Sequence, residues 1–306
     1  MNAYEAPWWL PGGHLQTVYA ALSPAPRVAW RRERWDTPDG DFIDLDWAGG
    51  GGGPLLALFH GLEGGSSSHY ARKLAARALA RGWRCVVPHF RGCSGAINRL
   101  PRAYHSGDTE ELDWILRRLR PQYAVGVSLG GNVLLKWLGE QGADAAQLLR
   151  RAAAVSAPLD LAASGRALDR GVNRRLYTRV FLTTLKAKVF AKIALRRVAL
   201  DERRLARVRT LHEFDGLFTA PMHGFRDADD YWARASSAPW LERIRVPTLL
   251  LNARNDPFLP AAALEAAARD AAPAVQREFP ATGGHAGFPG RAHWPARRIL
   301  AFLDAP

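Results

Sequence analysis

Ser128 stands in Gly126-Val-Ser-Leu-Gly130, between the apolar run Tyr123–Val127 and the helix-like run Asn132–Leu138. A serine at a strand-to-helix junction has two readings. It can cap the helix, its oxygen accepting a helix N–H. It can also be a nucleophile held on a tight turn. Capping accounts for the serine but not for the glycines at 126, 130 and 131. An elbow accounts for both, because a side chain at 126 or 130 would collide with neighbouring strand and helix backbone. A serine hydroxyl is a weak nucleophile, so it needs a base, an acid to orient that base, and donors for the oxyanion. His285, in the glycine-rich stretch Ala281-Thr-Gly-Gly-His-Ala-Gly287, is the predicted base. Asp256, in Asn255-Asp-Pro-Phe258 after an apolar run, is the predicted acid. The predicted oxyanion donors are backbone N–H groups. One is Leu129, at the helix start where the dipole favours negative charge. The other is Leu62, in His60-Gly-Leu-Glu-Gly64, which follows the apolar run Pro54–Phe59.

Each assignment has a rival. His285 could be an ordinary loop histidine and Asp256 a turn aspartate before Pro257. Asp160 is the alternative acid. His60 reads as a structural histidine shaping its loop. Cys93, in Gly92-Cys-Ser-Gly95, lacks elbow spacing. His105 precedes an acidic helix start with Asp108 and Glu110, which suits a structural role. Trp8 and Trp9 either line an acyl pocket or pack the N-terminal arm, and packing is the preferred reading.

The elements that must position these residues alternate. Leu55–Phe59, Cys85–Val87, Tyr123–Val127, Ala152–Val155, Thr248–Leu251 and Val275–Phe279 read as strands. Tyr70–Ala80, Thr109–Leu119, Asn132–Leu138, Ala261–Ala271 and Pro295–Leu303 read as helices. Arg34–Asp36 and Phe42–Trp47 read as paired strands about the turn at Asp39-Gly40. The alternation predicts a mostly parallel sheet with helices on both faces. Residues 1–30 read as an irregular arm rich in proline and aromatics. One segment interrupts the pattern: 158–240 has helical composition and would sit beyond the strand ends, where open α/β sheets bind ligands. The predicted organisation is therefore a core of 1–157 and 241–306 with 158–240 as a helical cap.

Composition narrows the function. The chain has 306 residues and 48% hydrophobic residues, enough for a large α/β core. No run is long and apolar enough to span a bilayer, and the first residues lack the features of a signal peptide. With two cysteines, Cys85 and Cys93, a cytoplasmic protein without a disulfide framework is expected. No Cys/His cluster has zinc-ligand spacing, so no metal is expected. The net charge is +13, and between Asp160 and Thr210 there are fourteen Lys/Arg against four Asp/Glu. That segment has few aromatics and no nucleic-acid motif, so no nucleic acid is expected. A solvated, arginine-rich helical region is the plain reading. The alternative is attraction for anionic substrates or lipid, with transient contact between the basic cap and an anionic membrane surface.

The motifs resemble those of the YheT-type α/β-hydrolases, bacterial relatives of the animal abhydrolase-domain lipid hydrolases. They run through nearly the whole chain: GGHLQT at Gly12–Thr17, HGLEG at His60–Gly64, RGCSG at Arg91–Gly95, YHSGDTE at Tyr104–Glu110 and GVSLGGN at Gly126–Asn132. Asp215, Gly224-Phe225, Asp230-Tyr231, Ser236 and Pro247 extend the likeness to the end of the cap. Trp232 stands where the pattern has tyrosine, and Asn255 replaces the first of two acids, leaving Asp256. No histidine is followed by an aspartate at the H-x4-D spacing tied to acyltransfer in some relatives. The order Ser128, Asp256, His285 is that of α/β-hydrolases. The resemblance implies the α/β-hydrolase fold and hydrolysis of short- to medium-chain or lipid-like esters without a cofactor. A serine peptidase or amidase, and a lipid-binding module without turnover, are the remaining alternatives.

Overall fold

The structure, a computed structural model, describes residues 4–290 and 293–305; the first three residues of the arm lie outside the described residues. Its strands are β1 Arg31–Asp36, β2 Phe42–Ala48, β3 Leu55–Phe59, β4 Arg84–Pro88, β5 Tyr123–Val127, β6 Arg151–Val155, β7 Thr248–Leu251 and β8 Val275–Glu278. They form one 8-stranded sheet in the order β1-β2-β4-β3-β5-β6-β7-β8. The β1–β2 and β2–β4 pairs are antiparallel. All pairs from β4 to β8 are parallel.

Helices α1 Gly13–Leu22, α2 His69–Leu79, α3 Thr109–Leu119 and α4 Leu129–Gln141 come from the first half. Between β6 and β7 the regular elements are all helical. They include α5 Leu161–Leu168, α6 Gly171–Asn173, α7 Arg179–Ala194, α8 Glu202–Arg207, α9 Leu211–Phe214, α10 Ala220–Met222 and α11 Ala228–Ala235. A wide turn, Arg174–Thr178, joins α6 to α7 without a break. The chain closes with α12 Ala261–Ala267 and α13 Trp294–Leu303.

The period of two along each strand sets the two cores. On β3, Leu55, Ala57 and Phe59 face a cluster with Leu112, Leu116, Val133 and Trp137 of α3 and α4. Leu56 and Leu58 face the opposite cluster with Leu74 and Ala78 of α2 and Leu300 and Leu303 of α13. The central strands are apolar on every residue because both faces are covered. A third cluster lies within the β6–β7 segment and takes Phe258 and Leu259 from the core.

Two expectations need correction. Residues 1–30 are not wholly irregular: α1 occupies ten of them. Gly12 and Gly13 start it without a side-chain cap, and prolines at 7, 11, 24 and 26 crowd its flanks, so the usual start signals are missing. The basic segment is also not uniformly solvated. Lys192 is buried and donates to Asn98 and to the carbonyls of Leu100, Pro101 and Arg102. Lys188 pairs with Glu63 at 2.7 Å. These α7 lysines face the core domain and tie the segment to it, while Arg170, Arg174, Arg175 and Arg179 are exposed. Burial lowers the Lys192 pKa to about 8. No helix among the described residues is long and apolar enough to cross a membrane.

The tightest packing lies where α4 meets the sheet. A Cβ on Gly130 would lie 2.4 Å from the Phe59 carbonyl oxygen, and one on Gly126 would lie 2.4 Å from that of Gly130. Gly130→Ala is therefore expected to cost at least about 2 kcal/mol, read as a lower midpoint in urea unfolding. His60 provides a second check. It is fully buried, and desolvation lowers its pKa to about 3 from 6.5. The unfolded chain therefore binds a proton that the folded chain refuses. Its contribution to stability is complete above about pH 6.5 and is lost as pH falls toward about 3, by up to about 1.4 kcal/mol per pH unit. Equilibrium unfolding across that window is expected to follow this slope, and His60→Gln is expected to flatten it.

Candidate active site

Ser128 ends β5 and immediately precedes α4. Its backbone lies at φ 54 and ψ −121, a conformation rarely adopted by a residue with a side chain. The close approach at Gly126 and Gly130 leaves the chain no gentler route from strand to helix. Ser128 heads α4, yet its side chain makes no capping hydrogen bond. Its Oγ lies instead 2.9 Å from His285 Nε2. His285 Nδ1 lies 2.8 Å from Asp256 Oδ2. A carboxylate only accepts, so Nδ1 carries the proton and Nε2 is free to accept from the serine hydroxyl. The Asp256 side chain is 0% exposed and that of His285 11%. The structure thus brings together the three residues singled out from the sequence.

Asp256 serves both of its readings. Oδ1 accepts from Phe258 N–H at 2.8 Å and shapes the Pro257 turn, leaving Oδ2 for the histidine. The same turn places the Phe258 ring on His285, with centroids 4.0 Å apart and planes 28° from parallel. Asp160, the rival acid, caps α5 by accepting from Ala163 N–H. His60 is structural. Its Nδ1–H donates to the Gly61 carbonyl, and its Nε2 accepts from Phe90 N–H.

The loop after β3 lies against the serine: a Cβ on Gly61 would be 3.1 Å from Ser128 Cβ. Gly61 N–H donates to the Tyr70 hydroxyl, Glu63 N–H to the Tyr104 hydroxyl and Gly64 N–H to the Gly61 carbonyl. Ser128 N–H donates to Val155 and Gly130 N–H to His60. Among the described residues, the N–H groups of Leu62 and Leu129 have no acceptor in the protein. Both residues line the cavity that Ser128 enters.

Sequence reasoning missed what holds the His285 loop. Gln16 Oε1, on α1, accepts from Gly283 N–H and from Asn255 Nδ2. Asn255 Oδ1 accepts from Gly284 N–H. Thr17 Oγ1 accepts from His285 N–H and donates to the Gly13 carbonyl. The contacts are tight enough that a Cβ on Gly284 would meet Gly13 and Thr17 within 2.8 Å. The Gly12–Thr17 motif and the amide at 255 were the available signals, but nothing in their spacing pointed to residue 285.

The cavity has a volume of about 660 Å³. Its wall combines Leu62, Ser128, Leu129, Phe258 and His285 with Leu168, Phe181, Leu185, Phe214 and Trp232 from the β6–β7 segment. Its few acids are occupied. Asp215 accepts from Trp232 Nε1 and Thr219 Oγ1, and burial raises its pKa to about 6. Glu63 pairs with Lys188 and accepts from Tyr104. His105 also faces the cavity; burial lowers its pKa to about 4, and it packs against His223, Phe225 and Tyr231. Burial pushes the Cys93 thiol up to about 11, which suits no nucleophile. Neither Trp8 nor Trp9 lines the cavity: Trp9, 50% exposed, packs edge-on against Tyr19 within the arm as expected, whereas Trp8 is 92% exposed.

Known proteins share this organisation. The family described as alpha/beta hydrolase fold matches residues 54–292. The YheT protein of Escherichia coli (strain K12) is 40% identical over 296 residues, which cover 90% of this chain and 84% of that one. Phospholipase ABHD3 of Mus musculus is 32% identical over 298 residues, covering 92% of this chain and 71% of that one. The crystal structure of a membrane phospholipase A described as a bacterial virulence factor superposes with a TM-score of 0.61 at 19% identity. That alignment covers 95% of this chain and 89% of the other, and it speaks for the fold alone. From the sheet order, the turn at Ser128 and these matches together, the chain belongs to the α/β-hydrolase family, in its YheT-type branch.

Proposed function

We propose that the protein is a serine hydrolase of carboxylic esters, with short- to medium-chain or lipid-like acyl esters as substrates. The observation that carries this is the Ser128–His285–Asp256 hydrogen-bonded relay opening into a large apolar cavity. His285 Nε2 takes the Ser128 proton as Oγ bonds to the ester carbonyl carbon. Asp256 holds the tautomer and stabilises the imidazolium. The carbonyl electron pair moves to oxygen, where the Leu62 and Leu129 N–H groups receive it. As the pair returns, the bond to the alcohol breaks and His285 protonates the departing oxygen. Water then loses a proton to His285 and attacks the acyl carbon; the bond to Ser128 Oγ breaks, Oγ takes that proton from His285, and the acid is freed. Only protein groups and water take part.

The cavity wall supports an acyl chain as ligand, since it is mostly aliphatic and aromatic. The phospholipase name of the mouse relative fits the same substrate class. Residues 158–240 act as the cap in this reading, supplying much of the wall that would cover the chain and exclude water.

A fluorophosphonate followed by peptide mapping tests the reading: the adduct is expected on Ser128 and is absent after heat unfolding. An unlabelled Ser128 under conditions that label a control esterase would refute it. Ser128→Ala and His285→Ala are expected to lower kcat on p-nitrophenyl esters by about 10⁶-fold, and Asp256→Asn by about 10⁴-fold. Full activity in Ser128→Ala would remove the nucleophile. Gln16→Ala frees Gly283 and Asn255 from α1. It is expected to lower kcat by about tenfold to a hundredfold with KM nearly unchanged, because the loop positions the base and not the substrate.

A further inference from the structure

The outer face of α1 is left largely uncovered by the described residues. Gln16, Thr17 and Ala20 point inward, while Leu15, Tyr19 and Leu22 point outward and are 53%, 43% and 80% exposed. Their spacing of four and three residues places them on one face. Trp9 sits on Tyr19 with ring centroids 5.3 Å apart, and Trp8 beside it is almost wholly exposed. A second exposed apolar row, Val172, Leu176 and Val180, runs from α6 into α7. The two rows belong to one surface. His14 of α1 stacks on Tyr177, and its Nδ1 is 3.1 Å from the Tyr177 hydroxyl. Leu22 and Val180, each more than half exposed, also line the cavity. The apolar surface is therefore the lip of the proposed ester site.

Charge selects what can sit on that lip. Arg170, Arg174, Arg175 and Arg179 are exposed along the second row. From Ala6 to Arg32, and again from Arg170 to Leu200, the chain has no Asp or Glu. Exposed aromatic and aliphatic side chains collared by arginine, with no acid among them, match the boundary of an anionic bilayer: rings and aliphatics enter the acyl edge while guanidinium groups meet phosphates. A patch of this kind on a soluble monomer otherwise calls for an explanation.

We propose that the α1 face and the α6–α7 row form a docking surface for anionic phospholipid bilayers, which seats the cavity mouth on the membrane. This rests on the reading of the cavity as an acyl-ester site. A lipid-like substrate could then pass from bilayer to cavity without crossing water.

Sedimentation of the full chain with vesicles tests this. The vesicles are phosphatidylcholine alone, or phosphatidylcholine mixed with phosphatidylglycerol. Binding is expected to the mixed vesicles and to be at least about tenfold weaker to the neutral ones. Trp8→Ser/Leu15→Ser/Leu176→Ser and Arg174→Glu/Arg175→Glu are each expected to weaken mixed-vesicle binding by about tenfold or more. Neither variant touches the cavity, so both are expected to hydrolyse a water-soluble p-nitrophenyl ester at the parent rate, which also reports that they fold. Equal vesicle binding by parent and variants would overturn the docking surface. So would parent chains that ignore vesicles but associate with one another through this face, seen as a dimer that the apolar triple variant dissolves. Absence of soluble-ester turnover in the parent would sink the ester reading instead, and the two failures are thereby separate.

Discussion

The contact on which the site depends is the approach of α4 to the sheet at Gly126 and Gly130. There the backbone of β3, β5 and α4 comes so close that a single methyl group would overlap carbonyl oxygens. The chain can leave β5 and enter α4 only through a residue at positive φ, and that residue is Ser128. The strain is local and is offset by the cores on both faces of the sheet. The serine hydroxyl is thereby held at the strand end, beside the loop that follows β3. Gly130 N–H donates to the His60 carbonyl, which stitches the loop after β3 to the start of α4, and Leu62 and Leu129 both line the cavity there.

The remaining members are held by hydrogen bonds from elsewhere. Tyr70 of α2 and Tyr104 fix the β3 loop through their hydroxyls. Gln16 and Thr17 of α1 fix the histidine loop. Asn132 donates to the carbonyls of Ser106 and Ala235 and accepts from Ser237 N–H, so the start of α4 also anchors the return from the β6–β7 segment. Lys192 draws the same segment onto the loop after β4, and Lys188 draws it onto the loop after β3. Each segment around the relay is thus tethered by side-chain hydrogen bonds from another part of the chain.

Much of this could be read from residue types and spacing. The apolar runs of β3, β5 and β7 are unbroken because both sheet faces are covered, and their bounds followed directly. That Ser128, Asp256 and His285 come together was legible because each follows a strand at the same edge of the sheet. Helix α1 was not, since glycine and proline at its ends look like loop. The inward lysines of α7 were not, because lysine in a basic segment suggests water and only tertiary contact reveals a buried amine. The roles of Gln16 and Thr17 were hidden for a simpler reason: a side-chain amide and a hydroxyl carry no pattern that names a partner far along the chain.

That distance has a consequence for biosynthesis. Thr17 and His285 are joined across 268 positions, and Gln16 and Gly283 across 267. A growing polypeptide exposes α1, the elbow and most of the cavity wall well before residue 285 leaves the ribosome. Until then Ser128 lacks its histidine neighbour, and Gln16 and Thr17 lack the loop they hold. The Ser128–His285 contact therefore forms only when a late loop docks on an early helix. Chains that stop short of residue 285 therefore lack the Ser128–His285 hydrogen bond, whatever the rest of the molecule has already formed.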